Sequence, residues 1–138
     1  MSVSPQTPPH DEKSVLELEL ELNREAPSLA RAAIAGFCEN RDLDAATLAT
    51  LTLLVSEVVT NAVIHPDVEP PAGIRLAARI AESQIRVEVT DEGNGFTPQP
   101  RDPAKSDRGY GLYLLEQQAS AWGVEHRSGN TVWFELGV

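Results

Sequence analysis

Glu57, Asn61 and His65 stand four residues apart in the stretch LLVSEVVTNAVIHP. On a helix that spacing places all three on adjacent turns of one face. Leu51, Leu54, Val55, Val58 and Ala62 recur beside them at helical period and form a continuous apolar stripe. The polar trio therefore follows the border between core and solvent, where the wall of a cleft lies. The same spacing also fits a plain amphipathic helix, with Glu57 solvated and His65 at the negative end of the helix dipole.

Two glycine-rich segments further along are a second group of candidates. DEGNGF, Asp91 to Phe96, follows an alternating apolar segment directly. Gly93 and Gly95 permit backbone angles and close approach that a side chain would forbid. Asp91 is an acceptor-only group when ionised, so it can meet the amino group of adenine but not a keto edge. RGYGL, Arg108 to Leu112, opens a helical pattern, and free amides at a helix start attract anions. Arg101, Lys105 and Arg108, three of the 11 lysines and arginines, cluster just before it, as a polyphosphate would require. Each segment alone also reads as ordinary turn or helix-entry chemistry. Neither matches the P-loop or the dinucleotide turn of a βαβ unit.

The remaining chain must position these groups. Its 138 residues suit one domain with one substantial core. A hydrophobic share of 41% and a charged share of 23% are globular values. The formal charge of −10 argues against a nucleic-acid surface, which needs a basic patch. With Cys38 as the one cysteine, an internal disulfide or a cysteine-built metal site is excluded. The N-terminal MSVSPQTPPH lacks the pattern of a signal peptide, and no stretch is expected to span a membrane. These features predict a cytoplasmic protein whose residues 1–13 are a disordered tail and whose residues 14–138 form the domain.

SVLELELEL alternates with period 2 and predicts a strand from Val15 or Leu16 to Leu22. Pro27 and Ser28 open a helix through SLARAAIAGFCEN, and a second helix runs from near Asp44 to His65, stopped by Pro66. IRLAARIA and QIRVEVTD predict a β-hairpin. The stretch from Gly93 to Gly111 is a long, almost apolar-free loop, and such loops are usually functional or disordered. GLYLLEQQASAW predicts a third helix, and GVEHRS with TVWFEL a final hairpin turning at Ser128, Gly129 and Asn130. The order β-α-α-β-β-loop-α-β-β implies an α+β fold, a two-layer sandwich with helices on one face of a mostly antiparallel sheet.

Taken together and in order, these segments resemble the three boxes of the GHKL (Bergerat-fold) ATPases. Glu57 to His65 is similar to the N box, Asp91 to Phe96 to the G1 box, and Gly109-Tyr-Gly111-Leu to the G2 box. Length and the phrase LLVSEVVTNAVIH most resemble the bacterial anti-sigma-factor serine/threonine protein kinases and their single-domain relatives. The resemblance extends from Val15 to Val138. It implies a Bergerat-type sandwich that binds ATP with Mg²⁺, with Asn61 holding the metal and Glu57 as the catalytic base or water-positioning group. It further implies that Asp91 binds the adenine amino group and that Gly93 and Gly95 shape the base pocket. Arg108, Gly109, Gly111 and Leu112 would contact the triphosphate through a mobile lid. The implied partners are a sigma factor, an antagonist protein that receives the phosphoryl group, and a second copy in a homodimer. A non-catalytic module that uses ATP to select protein partners fits the same boxes.

Overall fold

The computed structural model describes residues 15–39, 41–64, 73–91, 113–126 and 129–138. The expected tail, His65, and the segments holding Gly93, Gly95, Arg101, Lys105, Arg108, Gly109, Gly111 and Leu112 lie outside the described residues.

The alternating VLELELE is β1 (Val15–Glu21). Leu16, Leu18 and Leu20 join the core side, while Glu17, Glu19 and Glu21 face solvent. A short turn, in which Asn23 Oδ1 accepts the Glu25 N–H at 3.0 Å, leads into α1 (Ala26–Phe37). Pro27 stands in the first turn of α1, where its missing N–H costs nothing. Ala26, Ala30 and Ile34 are its buried stripe. α2 (Ala45–Ile64) follows. Its start is fixed by Asp44, whose Oδ1 accepts the Thr47 N–H at 2.7 Å. Those hydrogen bonds from Thr47 hold the Asp44 carboxyl below its ordinary pKa.

β2 (Gly73–Ala81) and β3 (Gln84–Asp91) form the predicted hairpin, closed by Glu82 and Ser83. Glu82 sits at φ 58°, a left-handed position held without a glycine. Residues 113–118 are helical (α3) and place Leu115 in the core. β4 (Ala121–His126) and β5 (Asn130–Gly137) complete the sheet. The strand order is β1-β2-β3-β5-β4, and every pairing is antiparallel. α1 packs against α2 and β1, and α2 against β3, giving the expected α+β two-layer arrangement.

Two boundaries differ from the sequence reading. The third helix was expected to reach Trp122, yet Ala121 and Trp122 already belong to β4, with Trp122 opposite Phe134. The apolar spacing of Leu114, Leu115, Ala119 and Trp122 suits a helix, but cross-strand pairing with a fully buried phenylalanine prevails. α1 ends at Phe37 rather than near Asn40. A third difference concerns α2, whose segment Ala45–Val63 is in fact long and apolar enough to cross a membrane. Here it is the central core helix: Leu51, Leu54, Val55, Val58 and Val59 are buried within the domain.

Candidate functional site

Among the described residues, the chain path brings three of the sequence-predicted ones, Glu57, Asn61 and Asp91, toward one end of the sheet. Glu21, the last residue of β1, pairs with Gly73, the first of β2. Ile74 pairs with Asp91, Asp91 with Asn130, and Asn130 with His126. These positions form one edge row across the sheet. α1 starts at that end, runs away from it, and α2 returns antiparallel. Arg31, in the middle of α1, donates from Nη1 to Ser56 Oγ, near the middle of α2, at 2.9 Å and ties the two helices side by side. The C-terminal turns of α2, carrying Glu57 and Asn61, therefore arrive at the sheet end that carries Asp91.

Orientation is set as clearly as position. On α2, Ser56 is buried on the flank that α1 covers. At about 100° per residue, Glu57 and Asn61 fall on the opposite flank, beside the apolar stripe rather than within it. Both are half-buried, as the border reading expects. The stripe itself is as predicted at Leu51, Leu54, Val55 and Val58, with Ala62 packed against it; Val59 joins it because α1 closes that side. On β3, Ile85, Val87 and Val89 are buried beneath the helices, and Asp91 continues that same face by the period of two. Asp91 thus projects from the helix-covered face at its open end, half-buried.

Asn130 is a member of this site that the sequence reading placed in a turn. It is the first residue of β5, is 7% exposed, and donates from Nδ2 to Asp91 Oδ1 at 3.4 Å. Its signal in the sequence is parity: Phe134 and Leu136 point to the core, and counting back by twos reaches Asn130. Just across the sheet from this pair, Thr90 and Thr131 share a hydroxyl–hydroxyl bond of 2.8 Å on the face without helices.

The donor set suits an oxygen-seeking cation that brings its own further ligands. Among the described residues, no three His, Cys, Asp or Glu side chains gather as a metal cage. One half-buried asparagine oxygen, at Asn61, fits Mg²⁺, which retains waters and takes one or two protein ligands plus phosphate oxygens. Cys38 contributes nothing to such chemistry: burial pushes its thiol pKa up, partly countered by the Arg41 cation.

The comparisons bear on the family of this α+β sandwich. Residues 20–136 match the model of the histidine kinase-like ATPase domain, and the chain belongs to that family. Curated relatives include an anti-sigma F factor of Pasteuria penetrans, 33% identical over 111 residues, covering 73% of this chain and 74% of the relative. Another is an anti-sigma F factor of Clostridium beijerinckii, 28% identical over 124 residues, covering 83% and 87%. Among solved structures, the histidine kinase domain of the blue-light activated histidine kinase from Erythrobacter litoralis EL346 superposes with a TM-score of 0.54. At 21% identity, and with 80% of this chain matched to 58% of that one, this likeness concerns the fold.

Proposed function

We propose that this chain is an ATP-binding anti-sigma factor that phosphorylates a serine or threonine of an antagonist protein. The observation that carries the reading is the packing of α2, which bears Glu57 and Asn61, against β3, which ends at Asp91, within a chain whose relatives include anti-sigma F factors. Asn61 Oδ1 would hold Mg²⁺, which when bound neutralises phosphate charge. Glu57 would accept the proton of the attacking hydroxyl, and Asp91 would accept a hydrogen bond from the adenine amino group. Gly93 and Gly95 would line the base, and Arg108, Gly109, Gly111 and Leu112 the triphosphate. Phosphoryl transfer needs mainly positioning and charge neutralisation, so this small set suffices. The partners on this reading are a sigma factor and its antagonist, met in the cytoplasm by a homodimer.

The test uses labelled ATP, Mg²⁺ and candidate antagonist proteins. The wild type should transfer label to the antagonist, and Asn61→Ala should lose Mg²⁺-dependent ATP binding while keeping its circular dichroism. Glu57→Ala should bind ATP normally but lose transfer by a factor of about 10² or more. ATP binding with no transfer by the wild type to any antagonist would replace the kinase by an ATP-gated binding module.

A further inference from the structure

The outward side of α2 carries almost no charge. Ala45, Ala46, Ala49 and Leu53 all face solvent, and Leu53 is 43% exposed. Glu57 is the single charged residue between Ala45 and Ile64, in a chain that is 23% charged. The apolar segment Ala45–Val63 has only 33% of its length buried within the domain. Single exposed leucines are ordinary, so the position of Leu53 is what matters.

Steps of four residues back from Asn61 pass Glu57, Leu53 and Ala49, which form one ridge along the helix. Each step turns about 40° around the axis, so the ridge climbs away from the core border. Asn61 and Glu57 are half-buried, whereas Leu53 and Ala49 are exposed. On the kinase reading above, on which this inference rests, the deep end of the ridge faces the nucleotide. The open end is left for the protein that brings the acceptor hydroxyl. That hydroxyl must come within about 3 Å of the Glu57 carboxylate to give up its proton. Side chains one helical turn apart stand about 5–6 Å apart, and consecutive residues of a chain about 3.8 Å. A neighbour of the acceptor residue therefore reaches Leu53 when the acceptor reaches Glu57. We propose that Leu53 is a specificity-determining residue for the protein substrate. It packs against an apolar side chain within two positions of the phosphorylated serine or threonine. A charged neighbour would find no counter-ion along this side of α2.

The probe is the antagonist protein that the wild type labels in the assay above, with the labelled residue located by mass spectrometry. Leu53→Ala should raise KM for that protein about tenfold, the value of covering a half-exposed leucine, with kcat and ATP affinity unchanged. Leu53→Met should stay within about threefold of the wild type, and Leu53→Glu should lose more than Leu53→Ala. Truncating the apolar neighbour of the labelled residue to alanine should cost a similar factor. Combined with Leu53→Ala, the two losses should not multiply. An unchanged KM in Leu53→Ala and Leu53→Glu, or losses that multiply, overturns the inference and leaves the kinase reading standing. So does an antagonist with no apolar residue within two positions of the label. ATP affinity that falls in the same proportion makes Leu53 structural and also overturns it. A change of oligomeric state in Leu53→Glu, with transfer intact, assigns the face to a second copy and overturns it as well. No transfer by the wild type to any antagonist overturns the inference and the kinase reading together.

Discussion

The two faces of the sheet carry carboxylates for opposite reasons. On the helix-covered face, Leu16, Leu18, Leu76, Val87, Val89 and Phe134 are apolar, and polar side chains enter only at the end, as Asp91 and Asn130. The other face carries most of the strands' charged residues, and several of them pair with one another. Arg86 binds Glu88 and Glu135, each at 3.0 Å, and its guanidinium lies 4.2 Å from the centroid of Trp133. Glu19 reaches Arg75 at 3.8 Å. Glu88 and Asp91 belong to the same strand, yet the period of two sends them to different faces. The acidic residue on the solvent face is paired with a cation, while the one on the helix-covered face meets the amide of Asn130 at the end of the sheet.

The contrast predicts a hierarchy of effects. Phe134 is fully buried at the centre of the helix-covered face. Phe134→Ala should lower stability by about 3–5 kcal/mol, measured by urea denaturation. A loss under about 1 kcal/mol would mean that the helices do not rest on this face as described.

Next in size is a test of the solvent face. Gly123 lies opposite Trp133, and a Cβ there would stand 2.7 Å from the indole Nε1. The indole is itself stacked beneath Arg86, so it cannot yield without breaking that contact. Gly123→Ala should destabilise by about 1–3 kcal/mol, with nucleotide affinity unchanged once the protein is folded. Stability equal to the wild type would show that the indole moves freely and that this cluster is surface decoration.

These particulars also show what the sequence made legible. β1, the β2–β3 hairpin and the stripe of α2 are periodic and local, so their residues declare them. β3 begins and ends where its alternation does, at Gln84 and Asp91. Glu57 and Asn61 were placed at the border of the stripe because helical geometry alone puts them there. The start of β4 was hidden, since Trp122 satisfies a helical period and only its distant partner Phe134 settles the choice. Gly123 looked like a strand beginning but is mid-strand, required by an indole ten residues on. Asn130 was hidden for a related reason: its meaning comes from pairing with Asp91, across a strand order that no local pattern reveals.

The smallest change in stability should give the sharpest test of the comparison, through two substitutions of the same kind on one strand. Glu88→Gln and Asp91→Asn each replace a carboxylate by an amide of nearly the same shape. Glu88 is a partly exposed partner of Arg86, which keeps Glu135, so its loss should cost less than about 1 kcal/mol. ATP affinity should not change, because Glu88 faces away from the helices. Asp91→Asn should likewise be mild for stability, since an amide can still accept from Asn130. For ATP it sets a donor against the 6-amino donor, and an unmatched buried polar pair costs about 1–3 kcal/mol, or roughly tenfold and more in affinity. Thermal melts and calorimetry on the two variants therefore separate the faces: similar melts, very different affinities. If Glu88→Gln weakens ATP as much as Asp91→Asn does, the side of the sheet a carboxylate occupies does not decide its role, and the contrast between the faces fails.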